Sequence, residues 1–324
     1  MNNIEVGIDP IAVTFETANQ VMKNPRFVFI DEKKIDEFVD QFGDELRTLK
    51  DIRFDMPKLP FLTQDDLNSL VEVEEAEKEQ LIMFELLANS VNYCYWYGRP
   101  EVRPGGANAG LMYELLEQAF NEAPSNDIFM IRMTFEKLMM QHRFPLMEAR
   151  IRHLQEIGLS QEEMGGNLFP YSAAGCFAKT LAACIDKQID ISAWLRNLVS
   201  LFPGFGDDIF LKRASLFFIM LYRRKGWFAD QIHRVPIPVD YHIPNVLRHH
   251  NCLKYDPSLS KMIDNYTLIP SGSLYEAEIR STSLVAAKQI ADKAECSMAD
   301  VDTLLFSRRT TPKDPFHLTI TTHY

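Results

Sequence analysis

Asp240 is the residue with the clearest chemical potential, and it lies in the segment PIPVDYHIPNVLRHH at 236–250. Pro236 and Pro238 favour an extended approach, and Pro244 suits the first turn of a helix, so Asp240 is predicted at a helix N-cap. Backbone N–H groups that donate to such a carboxylate keep it ionised. An ionised carboxylate at the floor of a pocket can stabilise a positive sugar or activate a water that attacks it, as in glycoside cleavage. The simplest alternative is that Asp240 only caps a helix.

A glycine-containing turn precedes this segment, in FPGFGDDIFLKRASLFF at 202–218. Its proline and two glycines predict a tight turn between helices, with outward-pointing N–H groups that suit a phosphate or a carboxylate. The order of turn, helix and capping aspartate resembles that of the helix–hairpin–helix DNA glycosylases, which extrude a base and cut its glycosidic bond. The spacing from the turn to Asp240 is longer here than is usual for those enzymes.

The charge balance argues against a protein that scans nucleic acid. The 324 residues include 34 Lys and Arg against 45 Asp and Glu, for a net charge of −11. Duplex DNA is bound mainly through neutralisation of its phosphates by basic side chains. A free nucleotide needs only a small basic spot, which Lys212 or Arg213 could supply together with the backbone of the glycine turn. A helix charge in solvent is the alternative for Lys212.

The cysteines and the apolar segments point to a cytoplasmic protein. The five cysteines are odd in number and form no CxxC pair, which is typical of free thiols in a reducing compartment. The N-terminus, MNNIEVGIDP, shows no signal-peptide pattern, and the most apolar window, 215–222, is far too short to span a membrane.

Helical periodicity dominates the chain and predicts a mostly α fold with a minor β ribbon built from the two chain ends. The ribbon is expected from the short strand at 26–30 and the alternating tail at 316–324. A long helix is predicted to begin after Thr63 and to continue through VNYCYW at 91–96. We predict one domain over 1–324, and the loop at 98–110 is the expected boundary if there are two lobes.

Several segments, in this order along the chain, resemble the queuosine salvage protein family, whose fold is similar to that of the DNA glycosylases. These are RFVFIDEKKI (26–35), VNYCYW (91–96), FPGFGDD (202–208), LKRASL (211–216), VDYHIPNVL (239–247), LKYD (253–256), EAEIRSTSL (276–284) and PFHLTITTHY (315–324). The family comprises queuosine 5′-phosphate N-glycosidases. The resemblance therefore implies release of the base queuine from queuosine 5′-monophosphate, a small-molecule nucleotide, with no cofactor and no metal.

The resemblance also implies roles for individual residues. Asp240 is expected to be the catalytic carboxylate, Asp302 and Trp96 to hold the base, and Lys212 to hold the 5′-phosphate. The other expected substrate-binding residues are Asn92, Phe205, Asp208, Tyr241, His242, Thr303 and Ser307. Buried core packing is the alternative for the aromatic side chains.

One segment departs from the family pattern and leaves the base open. A C-terminal stretch of the type Asp-aromatic-aromatic-Leu-Trp-Asp contributes to base binding in the family, and here it is DTLLFS at 302–307. Asp302 is retained, whereas Thr303 replaces an aromatic residue, Phe306 replaces tryptophan and Ser307 replaces the second aspartate. A family histidine upstream of VNYCYW has no counterpart in 63–91.

Three alternatives to queuosine hydrolysis follow from these observations. They are a hydrolase for another deazapurine or purine nucleotide, a binding protein that holds a modified nucleotide without cleaving it, and a DNA glycosylase proper, which the net charge disfavours. A zinc site at His242, His249 and His250 is not expected, because no carboxylate or cysteine completes a recognisable ligand set. The sequence leaves the oligomeric state open.

Overall fold

A computed structural model describes residues 8–60, 70–97, 106–123, 128–157, 173–187 and 189–324. Within these ranges the chain forms fourteen α-helices and one pair of short strands, which confirms the predicted mostly α fold. The elements in chain order are α1 (Pro10–Met22), β1 (Val28–Ile30), α2 (Glu32–Thr48), α3 (Leu70–Ser90), α4 (Ala109–Glu122), α5 (Ile128–Gln141), α6 (Met147–Ile157), α7 (Ala173–Cys184), α8 (Ile191–Leu201), α9 (Pro203–Gly206), α10 (Lys212–Lys225), α11 (His242–His249), β2 (Leu253–Tyr255), α12 (Pro257–Asp264), α13 (Leu274–Ala294) and α14 (Met298–Ser307).

The buried apolar side chains form two large clusters. The first is built mainly by α3–α8 and α10, and the second by α1, α2, α11–α14 and the strands. A smaller third cluster joins the segment after α3, the residue that precedes α11 and the C-terminal tail. Tyr95 and Ala107, which lie before and after residues 98–105, both belong to the first cluster. Residues 98–105 lie outside the described residues. The division into one domain or two lobes stays a prediction.

The N-terminus of α14 is fixed by a capping box and a buried ion pair. Ser297 Oγ accepts from the backbone N–H of Asp300, and Asp300 Oδ2 accepts from the N–H of Ser297. The other oxygen of Asp300 accepts from Arg223 of α10 at 2.7 Å, and both side chains are buried. This anchors α14, and with it Asp302, against α10.

The predicted helix through 91–96 is wrong, because α3 ends at Ser90 and the next seven residues are irregular. Cys94 has a φ of 36°, in the left-handed region that a helix cannot contain. The carbonyls of Val91, Tyr93 and Cys94 are instead bound by the buried guanidinium of Arg150 from α6. The predicted helix start at Thr63 lies outside the described residues.

The predicted ribbon between the two chain ends is also wrong in its second strand. β1 pairs antiparallel with β2, with Val28 opposite Tyr255, and the tail contributes only an isolated bridge between Leu268 and Leu318. Residues 316–319 are all buried, so both faces of this part of the tail are enclosed, whereas Ile320 is exposed. The backbone of Tyr324 is tied to the Cys94 N–H rather than to β1. Within the described ranges, no helix is long and apolar enough to cross a membrane.

Candidate active site

Lys212, Asp240 and Asp302 come from three different helical elements, and their charges lie close enough to influence one another. Burial lowers the pKa of the Lys212 ammonium to about 8, against the opposing effect of the Asp240 and Asp302 charges. Burial, with a further contribution from the Asp240 charge, raises the pKa of the Asp302 carboxyl to about 7. The structure therefore brings together one ammonium and two carboxyl groups that influence one another.

Asp240 lies at the entrance of α11 and accepts backbone N–H bonds there. Its Oδ1 accepts from the N–H of His242 at 2.7 Å and of Ile243 at 3.3 Å. Because α11 begins at His242, the N-cap position is Tyr241, and Asp240 caps the helix from one residue further upstream. Its side chain is only partly buried, which leaves carboxylate surface for a ligand.

Lys212 begins α10 and is almost completely enclosed, at 4% exposure. Its ammonium donates to the Asn92 carbonyl at 2.7 Å and to Asn92 Oδ1 at 3.4 Å. Asn92 Oδ1 also accepts from the hydroxyl of Tyr95 at 3.1 Å. Asn92 and Lys212, both predicted to bind substrate, are therefore bonded to each other.

Asp208 positions this corner of the site through a buried ion pair. Arg280 of α13 donates to both carboxylate oxygens of Asp208 at 2.7 Å, and it also donates to the Val239 carbonyl at 3.2 Å. Asp208 Oδ2 accepts from the backbone N–H of Lys212 at 3.0 Å. Burial alone would raise the pKa of Asp208, but the Arg280 charge and hydrogen bonds hold it below its usual value. Arg280 thus links the start of α10 to the chain that enters α11, while a contact of Asp208 with substrate stays a prediction.

Arg150 of α6 organises the irregular segment that carries Asn92 and Trp96. Its guanidinium donates to the carbonyls of Val91, Tyr93 (2.5 Å) and Cys94 (2.9 Å), and its Nε donates to the carbonyl of Pro145 at 2.8 Å. The Arg150 side chain is fully buried. One side chain therefore satisfies backbone carbonyls that a helix would otherwise have paired.

Aromatic rings form a wall beside the carboxyl groups. Phe316 from the tail stacks on Tyr241 at 4.4 Å between ring centroids, and Trp96 meets Tyr241 edge-on at 6.4 Å. The His242 ring contacts Phe316 at 5.6 Å and Phe306 at 6.0 Å. Trp96 is buried, and its Nε1 has no hydrogen-bond partner among the described residues.

The remaining predicted residues have local partners. Phe205 is buried in the first apolar cluster. The hydroxyl of Thr303 donates to the Ala299 carbonyl at 2.9 Å, and that of Ser307 to the Leu304 carbonyl at 2.7 Å, both within α14. Their contacts with substrate, like that of Phe205, stay predictions.

The prediction that the glycine turn points its backbone N–H groups outward is wrong at Gly204. Its N–H donates to Glu156 Oε2 at 2.9 Å, and its carbonyl accepts from Arg213. The turn is a single helical turn, α9, that packs against α6, and a Cβ at Gly204 would lie 2.7 Å from His153 Cδ2. Arg213 is buried there, where it also pairs with Asp207 at 3.0 Å.

The histidines considered for zinc do not gather at one place. His250 lies edge-on to Phe38 and Phe42 in the second apolar cluster, whereas His242 belongs to the aromatic wall. No group of three metal-ligating His, Cys, Asp or Glu side chains occurs in the part of the chain that the structure describes.

Sequence reasoning missed the roles of Arg150, Arg280 and Phe316. Arg150 carries no local signal, because an arginine in an amphipathic helix usually faces solvent. Arg280 and Phe316 lie inside segments that resemble the family, but the pattern gave them no role.

Hydrolases of glycosidic bonds typically use two carboxyl groups, and here two carboxyl groups from separate elements lie beside a partly aromatic wall on a helical scaffold. The comparison with known families agrees with this class. The model of the family described as queuosine salvage protein matches residues 72–324, and the chain belongs to this family.

Three relatives carry the name queuosine 5′-phosphate N-glycosylase/hydrolase. The Dictyostelium discoideum protein is 26% identical over 284 residues, which cover 78% of this chain and 82% of the relative. The proteins from Sphaerobacter thermophilus and Mus musculus are each 26% identical, over 66% of this chain and over 69% and 68% of their own lengths.

Proposed function

We propose that this chain is an N-glycosidase that hydrolyses queuosine 5′-monophosphate to queuine and ribose 5-phosphate. The observation that carries the proposal is the meeting of Asp240 and Asp302, one at the entrance of α11 and the other on α14, beside a buried ammonium. The names of the three relatives support the substrate and the reaction.

Asp240 is proposed as the carboxylate that faces the anomeric carbon. Departure of the base leaves positive charge on the sugar, and a carboxylate beside it lowers the energy of that oxocarbenium-like state. A water molecule then bonds through its oxygen to the anomeric carbon and gives up a proton to a carboxylate. The backbone N–H groups of His242 and Ile243 hold Asp240 in place throughout.

Asp302 is proposed to supply a proton to the departing base. Queuine is a 7-deazaguanine, so it has no N7 to protonate, and the available acceptors are its carbonyl, N3 and the ring nitrogen released from the sugar. With a pKa of about 7, the Asp302 carboxyl is protonated in a large fraction of molecules at neutral pH. The Asp302 carboxylate is protonated again by the proton that the attacking water loses, so the site returns to its starting state.

The residues proposed to bind the base and the sugar are those that the resemblance implies, with geometry as support. Asn92, Trp96, Tyr241 and His242 lie around the two carboxyl groups, where the base and sugar of a nucleotide would sit. Acidic and hydroxyl side chains are expected to hold the secondary ammonium and the diol of queuine. The cytoplasmic location remains a prediction from the cysteine pattern.

A different deazapurine is the second candidate base. The observation that favours it is on α14 beside Asp302, where Thr303, whose hydroxyl donates to the Ala299 carbonyl, stands in place of an aromatic residue of the family pattern. A panel of deazapurine and purine 5′-monophosphates separates this candidate from queuosine 5′-monophosphate.

The deciding experiment is mass-spectrometric detection of free base after incubation with queuosine 5′-monophosphate. We expect queuine and ribose 5-phosphate from the wild type and a rate at least about 10³-fold lower from Asp240→Asn, since that change removes the charge that stabilises the sugar cation. Asp256→Asn is the matched control, because Asp256 accepts from the Ser258 N–H at the start of α12 in the same way, and α12 carries none of the candidate site residues. Tight binding of an intact nucleotide by the wild type would instead identify a binding protein.

A further inference from the structure

A positively charged side chain stands at the outer end of the face of α14 that carries Asp302. Asp302, Phe306 and Arg309 are spaced i, i+4 and i+7, and the turn after α14 continues the helix far enough to keep them on one face. At 1.5 Å per residue, Phe306 lies about 6 Å and Arg309 about 10 Å beyond Asp302 along the axis. Since Phe306 contacts the His242 ring, this row leads outward from the two carboxyl groups.

Arg309 is held in position but keeps most of its donors. Its guanidinium carbon lies 4.1 Å from the Phe306 ring centroid, and Nη1 donates to the Phe306 carbonyl at 2.9 Å. Arg309 makes no ion pair with any described residue, and its side chain is exposed. Its neighbour Arg308 differs, because it is bound by Glu45 at 2.6 Å and covers Phe42.

The charges at the two ends of this row favour opposite parts of a nucleotide. The inner end has two carboxyl groups against the single ammonium of Lys212, which is already bonded to the Asn92 carbonyl. That environment attracts a sugar cation and repels a phosphate dianion. The outer end offers an arginine, whose planar guanidinium suits phosphate oxygens.

We infer that Arg309, supported by the Phe306 ring, binds the 5′-phosphate of the substrate. This inference rests on the proposed function and deepens it, because it assigns the phosphate to the rim of the site rather than to Lys212. The anomeric carbon then lies against Asp240, and the C5′ substituent extends outward past His242 and Phe306. Arg309 is thereby a determinant of preference for nucleotide over nucleoside.

The test is a comparison of kcat and KM for queuosine 5′-monophosphate and for queuosine. We expect Arg309→Ala to raise the nucleotide KM by about 10- to 100-fold, the range that loss of hydrogen bonds to a charged group produces, and to leave the nucleoside KM unchanged. Arg309→Lys should restore part of the loss. Arg308→Ala is the matched control and should change neither value. Equal effects of Arg309→Ala on both substrates, or none on either, would overturn the inference.

Calorimetric titration with ribose 5-phosphate and with ribose separates this inference from the proposed reaction. If the wild type releases no base but prefers ribose 5-phosphate, and Arg309→Ala abolishes that preference, the phosphate site stands although the reaction fails. If the wild type shows no preference, the inference is wrong. It is also wrong if Lys212→Met abolishes the preference and Arg309→Ala retains it, since Lys212 is then the phosphate ligand.

Discussion

The Asp240 carboxylate lies close enough to Asp302 for its negative charge to add to the effect of burial, and together they raise the pKa of the Asp302 carboxyl to about 7. The two groups come from the entrance of α11 and from α14, so neither can be changed without altering the other's electrostatic surroundings. Neighbouring carboxyl groups in different protonation states can divide a reaction between charge stabilisation and proton donation. The predictions below test this division and the buried groups that hold it in place.

The first prediction concerns the pH dependence of turnover. If Asp302 donates a proton to the base, kcat must fall as pH rises through about 7, because the ionised form cannot donate. Asp302→Asn should lower kcat by about 10²- to 10⁴-fold and remove this alkaline decrease. Turnover measured from pH 5 to 9 in both proteins checks the prediction, which fails if the alkaline decrease persists in Asp302→Asn.

The second prediction is that the same substitution stabilises the protein at high pH. The folded state holds the Asp302 proton up to about pH 7, whereas the group's ordinary pKa is 3.8. Stability of the wild type therefore falls as pH rises from about 4 to 7 on account of this group, because the folded state binds more protons than the unfolded state. After a discount for its partial solvent contact, Asp302→Asn should increase the free energy of unfolding by about 2 kcal/mol at pH 8 and change it little at pH 4.

Urea denaturation at the two pH values measures this difference. Asp256→Asn serves as the contrasting control, because hydrogen bonds from Ser258 lower the pKa of Asp256. Its contribution has the opposite sign, so Asp256→Asn should be less stable than the wild type above about pH 4, and this deficit should disappear at lower pH. An Asp302→Asn protein that is less stable than the wild type at pH 8 would contradict the assignment.

The residues that act locally could be predicted from the sequence, and those that act over long distances could not. Asp240 was predictable because prolines and a following helix define a cap position within a few residues. Asp302 came only from resemblance to a family, since an aspartate in the middle of a helix has no distinguishing local pattern. The roles of Arg150 and Arg280 could not be predicted, because arginine on an amphipathic helix usually faces solvent and their partners lie far away in the chain.

The segment 91–97 shows the same limit for the fold. Its apolar and aromatic residues continue the helical pattern of α3, and the break after Ser90 depends on carbonyl groups that Arg150 binds from another helix. The tail at 316–324 alternates as a strand would, yet residues 316–319 are enclosed on both faces and the Tyr324 carbonyl accepts from Cys94 instead of pairing with β1. Tertiary contacts override local preference in both segments.

The third prediction concerns Lys212 as an electrostatic neighbour of Asp302. The Lys212 charge lowers the pKa of Asp302, opposing burial and Asp240. Lys212→Met removes that charge, so the alkaline decrease in kcat should move to higher pH. The pH profile of the variant tests this, with Lys288→Met as control, because Lys288 pairs with Asp292 on the exposed face of α13. A profile with an unchanged or lower midpoint would contradict the predicted coupling.

The fourth prediction concerns the buried pair of Asp208 and Arg280. Asp208→Ala leaves a buried guanidinium without its carboxylate, which should destabilise the protein by about 3 to 5 kcal/mol. The double variant Asp208→Ala/Arg280→Met should be more stable than the sum of the single effects, because no unpaired charge remains. Urea denaturation of the four proteins in this cycle gives the coupling energy. Asp292→Ala, which breaks an exposed pair on α13, should cost less than about 1 kcal/mol, and equal costs at the two sites would refute the argument.

The last prediction concerns Arg150, whose guanidinium binds three carbonyls of the segment that carries Asn92 and Trp96. Arg150→Lys keeps the charge, but a single ammonium cannot reproduce the planar set of donors, so some buried carbonyls lose their partners. We expect a loss of about 2 to 3 kcal/mol in the free energy of unfolding. Arg152→Lys is the matched control on the same helix, and its exposed side chain predicts little change.

If the 91–97 segment is displaced, Asn92 should move with it and disturb the site, because the Asn92 carbonyl accepts from the Lys212 ammonium. Arg150→Lys should therefore raise KM for the nucleotide and for the nucleoside by similar factors, since it disturbs the wall that holds base and sugar. That pattern differs from the one expected for Arg309→Ala, which affects the nucleotide alone. A normal KM in an Arg150→Lys protein that has lost stability would show that the segment's position is not important for substrate binding.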